Sequence, residues 1–83
     1  MPRKIYEIAA EIRRDWKNVH YAATPYLNAM GELDDIDEMY MNDSASSVVA
    51  YFLSNASTWR GDTARKVKKE LNDMLNEFYR TKM

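Results

Sequence analysis

The chain reads Ser47-Val-Val-Ala-Tyr-Phe-Leu53, then Ser54-Asn-Ala-Ser-Thr-Trp-Arg-Gly-Asp-Thr-Ala-Arg65, and then a charged segment that runs on to Phe78. In that last segment apolar residues recur three and four positions apart, at Ala64, Val67, Leu71, Met74 and Phe78. On a helix this spacing forms one apolar stripe, which is typical of a helix that packs on a core. The pattern predicts a helix over 63–80.

A corner at Gly61-Asp62 separates this helix from the one before it. The run Val48–Leu53 also has the residue types of a strand. However, the sequence predicts no second strand, and an isolated strand leaves its backbone groups unsatisfied. We therefore predict a helix over 45–58, with Asn42–Ser44 as its capping segment. Gly61 is expected to end that helix in the left-handed conformation, and Asp62 to accept from the first amides of the next one.

The beginning of the chain predicts one long and one short helix. Apolar residues at spacings of three and four predict a helix over 3–17, and an uncharged connector follows it. Thr24-Pro25 favours the start of a short helix over 25–30, because Pro suits the first helical turn. Gly31 is expected to close this helix in the left-handed conformation.

A second short helix is predicted at about 35–41. Asp35 and Glu38 have the spacing of a capping box, and acids suit the positive end of a helix dipole. The segments together predict an all-α fold, a compact single-domain bundle of about five helices, two of them short, over residues 1–83. We expect its core around four large apolar residues: Trp16, Phe52, Leu71 and Phe78.

Composition narrows the class of protein. The chain has 83 residues, of which 46% are apolar and 30% charged, and it has no Cys. Without Cys there is neither a disulfide framework nor a thiolate metal site. The sequence has no apolar run long enough to cross a membrane, and its first residues lack the apolar core of a signal peptide. We expect a cytoplasmic protein with no membrane partner.

The net charge of −1 hides two opposed patches. Six acids and no base lie between Gly31 and Asp43, and five bases with one acid lie between Arg60 and Lys69. The two patches either face each other or the solvent, or one of them binds a partner. The first contains what we call the acidic strip, Asp34, Asp35, Asp37 and Glu38. It lacks the central Gly of a calcium loop, so no metal site is predicted; a minor hypothesis is that it imitates nucleic-acid phosphate.

No constellation of catalytic residues is recognisable. His20 is the only His, and a single His without Cys does not make a zinc site. None of the serines lies in a Gly-x-Ser-x-Gly elbow, and there is no Gly-rich phosphate loop. We therefore expect no enzyme activity and no cofactor, and a hydrogen-bonded structural role for His20.

The basic patch has two interpretations. A helix, a Gly turn and a basic helix make the outline of a helix-turn-helix DNA reader, with Arg65, Lys66 and Lys69 facing phosphates. Against this, Asp62 lies where the second helix would enter the groove, and the net charge is negative. Trp59 also has two interpretations. It either closes the core, with its N–H on a backbone carbonyl, or is an exposed interface anchor beside Arg60.

Three segments, Glu7–Lys17, Pro25–Met30 and Tyr51–Arg65, resemble a family of short proteins. Phages, prophages and integrative conjugative elements of Gram-positive gut and oral bacteria encode this family. The resemblance spans nearly the whole chain, and Trp59-Arg-Gly-Asp-Thr-Ala-Arg65 is its most distinctive part. The family has no assigned activity, so the resemblance implies a genomic setting and transfers no functional residue.

That setting favours one hypothesis. Small non-enzymatic proteins of mobile elements often bind and inhibit host proteins, and CRISPR effectors and restriction enzymes are frequent targets; this is an analogy. The leading hypothesis is a host-protein-binding module of anti-CRISPR or anti-restriction type. It would use either the acidic strip or what we call the basic edge: Trp59, Arg60, Arg65, Lys66 and Lys69. A DNA-binding regulator using helix 63–80 and a homo-oligomeric accessory protein are the alternatives.

Overall fold

The computed structural model describes residues 3–82, and their side chains from residue 3 to residue 81. Within that range the elements follow in the order α1 (Ile5–Asp15), α2 (Thr24–Met30), β1 (Met39–Tyr40), β2 (Asp43–Ser44), α3 (Ala45–Ser54) and α4 (Asp62–Lys82). The predicted helical class is confirmed, but the described residues form four helices and a small hairpin rather than five helices.

The predicted helix over 35–41 is wrong. Its place is taken by turns and by an antiparallel hairpin that pairs Met39 with Ser44 and Tyr40 with Asp43. Glu38 does not form the predicted capping box with Asp35, because its Oε1 accepts from the backbone N–H of Asp34 at 2.9 Å. A seven-residue helix is marginal without strong packing, and the hairpin satisfies the same backbone groups.

The two glycines behave differently from one another. Gly31 follows α2 with φ −64° and ψ −12°, so its predicted left-handed conformation is wrong. Gly61 has φ +111°, within the region that favours glycine. However, α3 ends at Ser54 instead of residue 58, so Gly61 introduces α4 and does not cap α3.

Polar side chains set both ends of α3. Ser44 Oγ accepts from the backbone N–H of Ser47 at 3.1 Å, which confirms the predicted cap. At the other end, Ser54 Oγ donates to the carbonyl of Ala50, and Asn55 Nδ2 donates to the carbonyl of Tyr51. These bonds satisfy carbonyls of the last turn, and they explain why the helix stops four residues early.

Three aromatic rings form the centre of the core. Trp16 and Trp59 stack with 5.8 Å between ring centroids, and Phe52 meets both rings edge-on. Leu71 is fully buried, as predicted, whereas Phe78 is only half-buried. The difference arises because α4, at 21 residues, is about twice as long as α1 or α3, and Leu75 is its last buried residue.

Candidate functional site

A groove of about 770 Å³ lies between the loop at residues 34–37 and the outer side of α4. Its apolar lining consists of three half-buried side chains, Ile36, Met74 and Phe78. Charged residues make up most of the rest: Arg3, Asp34, Asp35, Asp37, Lys66, Lys69, Glu70, Asp73 and Glu77. The groove therefore combines an apolar floor with charged walls, which is the general form of a ligand or protein-binding site.

The loop wall is held against the start of α1 by backbone hydrogen bonds. The N–H of Ile5 donates to the carbonyl of Asp34, and the N–H of Tyr6 to the carbonyl of Leu33, both at 2.9 Å. These are two of the helix-start amides that have no partner within the helix itself. Lys4 Nζ also lies 3.5 Å from a carboxylate oxygen of Asp35. The loop is therefore joined to the start of α1 by two backbone hydrogen bonds and one ion pair.

Arg3 joins α1 to α4 at the groove. Its Nη2 and Nε donate to the two carboxylate oxygens of Glu70 at 2.6 and 3.1 Å, and its Nη1 lies 2.7 Å from Glu11. A two-pronged pair of this kind is both strong and directional. The hydrogen bonds that Arg3 donates to Glu70 are the main reason that the pKa of Arg3 is raised above its usual range; partial burial opposes this rise, and Glu11 adds to it. Arg3 therefore stays charged and remains paired with Glu70 and Glu11.

The two charged patches predicted from the sequence meet in this groove. Three residues of the acidic strip line it, Asp34, Asp35 and Asp37, and so do Lys66 and Lys69 of the basic edge. Lys69 Nζ lies 2.7 Å from Asp73 Oδ2 on its own helix. Residues of both patches thus line one groove, and among the described residues no ion pair joins the acidic strip to the basic edge.

The remaining residues of the two predicted sets lie elsewhere. Glu38 is half-buried and bonded to the backbone of Asp34, and it does not line the groove. Arg65 is exposed and pairs with Asp62 one turn before it on α4. Arg60 is exposed at the corner before α4. The fold therefore places only part of the acidic strip and only part of the basic edge in the groove.

Trp59 is part of the core. It is 2% exposed, and its Nε1 donates to Asp15 Oδ2 at 2.8 Å, so the predicted backbone acceptor is replaced by a carboxylate. Lys68 covers it from outside, with Nζ 2.7 Å from the Trp59 carbonyl oxygen and 5.9 Å from the ring centroid. The interpretation of Trp59 as an exposed anchor is wrong, because the ring presents no face to a partner.

His20 has local partners only. It is exposed, its Nδ1 accepts from the backbone N–H of Ala22 at 3.0 Å, and its ring stacks on Tyr21. Over the part of the chain that the structure describes, no three His, Asp or Glu side chains are grouped so that they could hold a metal ion. Within the same residues, no helix has both the length and the apolar character needed to cross a membrane.

Sequence reasoning missed the apolar floor of the groove. Phe78 was expected in the core, Met74 was placed only on the apolar stripe of α4, and Ile36 was assigned to a helix that does not form. The predicted helix lengths gave little signal of the groove, because helix 63–80 was expected to be only three or four residues longer than helices 3–17 and 45–58.

Comparison of the chain with protein-family models, with curated proteins and with solved structures found no match.

Proposed function

We propose that this chain is a non-enzymatic protein-binding module of a mobile genetic element, and that it binds a host protein through the groove beside α4. One observation carries the proposal: charged residues of both signs on the loop and on α4 line the same groove as three half-buried apolar side chains. Half-buried apolar side chains within a charged rim are typical of protein interaction sites.

The identity of the host protein is proposed from the resemblance to mobile-element proteins. Such elements gain when a host defence complex is inhibited, and a module without catalytic groups inhibits by occupying a surface. We therefore propose an inhibitor of anti-CRISPR or anti-restriction type, on an analogy of genomic setting. The stiffness of the groove supports tight binding, because Arg3 and the backbone of Leu33 and Asp34 already hold its walls together.

Affinity capture from host lysate tests the binding site with matched variants. Lys69→Glu and Arg65→Glu make the same charge change on the same helix, but only Lys69 lines the groove. Asp35→Lys and Asp43→Lys form a second pair of the same kind, since Asp43 lies in the hairpin and outside the groove. We expect Asp35→Lys to lose the captured host protein and Lys69→Glu to change the amount captured, while Arg65→Glu and Asp43→Lys retain it. Capture that is the same for all five chains would overturn the proposal.

A phage challenge tests the inhibitory role separately. Bacteria with an active CRISPR or restriction system are infected with and without the chain, and plating efficiency is measured. We expect the wild-type chain and Asp43→Lys to raise plating efficiency, and Asp35→Lys to raise it less. If no defence system is affected while capture depends on the groove, the chain binds a host protein but is not such an inhibitor.

A further inference from the structure

We propose that the groove binds a basic amphipathic helix of the partner protein, about four turns long. This inference rests on the proposed function, because it names the chemistry of the segment that the host protein offers. It is argued from the shape of the groove, from the pairing of its charges and from the nature of its floor.

The walls of the groove favour a helix over an extended peptide. One wall is α4, whose backbone groups are bonded within the helix, and the other is the turn at 34–37. The two strands of the described residues, β1 and β2, do not line the groove, so it offers no strand edge for a peptide to extend. From Lys66 to Thr81 the α4 wall is about 22 Å long at the rise of a helix, which matches about fifteen helical residues. Recognition is therefore of the helix-in-groove kind.

The charge of the groove favours a basic occupant. Six acids and three bases line it. Two of the bases are paired with acids of the protein itself: Arg3 with Glu70 and Glu11, and Lys69 with Asp73. Asp35 and Glu77 are paired as well, with Lys4 and Arg80. Among the described groove residues this leaves two exposed acids, Asp34 and Asp37, and one exposed base, Lys66, without an ion pair. Lysine or arginine side chains of a partner would offset this excess of negative charge, whereas acidic ones would be repelled.

The floor favours apolar anchors one helical turn apart. Met74 and Phe78 are four positions apart on α4, and Ile36 lies on the facing loop. All three side chains line the groove and are half-buried, and a methionine adjusts its shape to different apolar partners. A partner helix with apolar residues at i, i+3, i+4 and i+7 meets such a floor along one face.

Two synthetic peptides test the chemistry of the occupant. Both have about eighteen residues with Leu at the same helical spacing, and the polar positions are Lys in one and Glu in the other. Binding to the full chain is followed by fluorescence anisotropy. We expect the Lys peptide to bind at least about tenfold more tightly than the Glu peptide. Its affinity should fall when salt is raised from about 0.05 M to about 0.3 M, because exposed charges are then screened.

Three variants locate the binding. Asp34→Lys with Asp37→Lys should weaken the Lys peptide several-fold and strengthen the Glu peptide, whereas Asp43→Lys should change neither. Met74→Glu should weaken both peptides, because it places a charge in the apolar floor. Circular dichroism of each variant shows that the helices are retained. Equal binding of the two peptides, or binding that the groove variants leave unchanged, would overturn the inference.

The outcomes separate this inference from the function on which it rests. If lysate capture depends on the groove but the peptides are not distinguished, the inference fails and the proposed function stands. If no capture depends on the groove, the proposed function fails and the inference fails with it. If light scattering shows a dimer that Met74→Glu separates, the groove is occupied by a second copy of the chain, and the basic helix is excluded.

Discussion

Trp59 Nε1 donates a 2.8 Å hydrogen bond to Asp15 Oδ2, which lies 44 positions away in the chain. Asp15 is the last residue of α1, and Trp59 lies in the corner that leads into α4. The neighbouring Trp16 stacks on the same ring. The end of the first helix and the entrance to the last are thus packed against each other.

Asp15→Ala should lower the free energy of unfolding by about 1–3 kcal/mol, because it leaves a buried N–H donor without its acceptor. Urea denaturation measures the change. In the Trp59→Phe background the donor is already absent, so the same substitution should cost clearly less. Asp37→Ala is the control, and we expect its effect to stay within about 0.5 kcal/mol, as at most surface sites. Equal costs of Asp15→Ala in the two backgrounds would show that the hydrogen bond does not contribute.

Gly61→Ala should destabilise the fold by about 1–2 kcal/mol, the cost of holding an L-residue at positive φ. A Cβ at Gly61 would meet no atom within 4 Å, so the loss comes from backbone strain and not from a clash. Gly31→Ala is the matched control, because φ there is −64°. We expect the control to cost less even though its Cβ would lie 3.3 Å from the carbonyl oxygen of Asn28. Thermal denaturation of the two variants gives the order, and the reverse order would contradict the conformation of Gly61.

Met41 is the one described non-glycine residue at positive φ, with φ +55°, and its side chain is 84% exposed at the tip of the hairpin. Met41→Gly should be more stable than Met41→Val by about 1–2 kcal/mol, because a β-branched residue tolerates this conformation poorly. The same two substitutions at Met39, in the extended strand β1, should not favour Gly in this way. Chemical denaturation of the four variants tests this, and a preference for Val at both positions would contradict the turn geometry.

Lys68 should titrate at a lower pH than a free lysine. Partial burial lowers its pKa from the ordinary value of 10.5, and the like charge of Arg60 lowers it further. Below 10.5 there is then an interval in which the unfolded chain binds more protons than the folded one. Across that interval the contribution of Lys68 to the free energy of unfolding rises with pH. The cost of holding Lys68 charged in the folded protein is largest at lower pH, where Lys68 is charged in both the folded and the unfolded chain.

The Cε chemical shift of Lys68, followed by NMR against pH, measures this pKa directly. We expect Arg60→Ala to raise it, because that variant removes the neighbouring like charge. Lys17→Ala, which removes a charge that does not act on Lys68, is the control. A midpoint at 10.5, or one that Arg60→Ala leaves in place, would contradict the environment described for Lys68.

Duplex DNA should bind the chain weakly, because acidic side chains lie beside the cations of α4 and repel phosphate. Lys66 and Lys69 share their groove with six acids, and Arg65 pairs with Asp62. Anisotropy with a random duplex at about 0.05 M salt measures this, since phosphate contacts are strongest at low salt. Replacement of Asp34, Asp35 and Asp37 by Lys should increase binding. Tight binding by the wild-type chain that falls steeply with salt would instead support a DNA-binding regulator.

Local signals predicted the parts of the fold in which short-range patterns and packing agree. The apolar spacings of α1 and α4 and the Ser44 cap were read correctly because each is determined within about two helical turns. The same kind of signal failed at 35–41. There Glu38 bonds to the backbone of Asp34, and the next two residues pair with the strand at 43–44. A capping pattern does not reveal which of two local hydrogen-bond arrangements the rest of the chain will stabilise.

The sequence by itself determined a helical class, one long amphipathic helix and two charged patches of opposite sign. Only the tertiary structure decided that residues of both patches line one groove with Ile36, Met74 and Phe78, and that Trp59 lies in the core with Asp15 as its acceptor. The physical reason is the range of the interactions. Helical periodicity is set by residues three and four apart, whereas both the groove and the Asp15–Trp59 bond join segments that are distant in the chain. These contacts depend on how the helices and loops pack together. They also depend on the length by which α4 exceeds its neighbours.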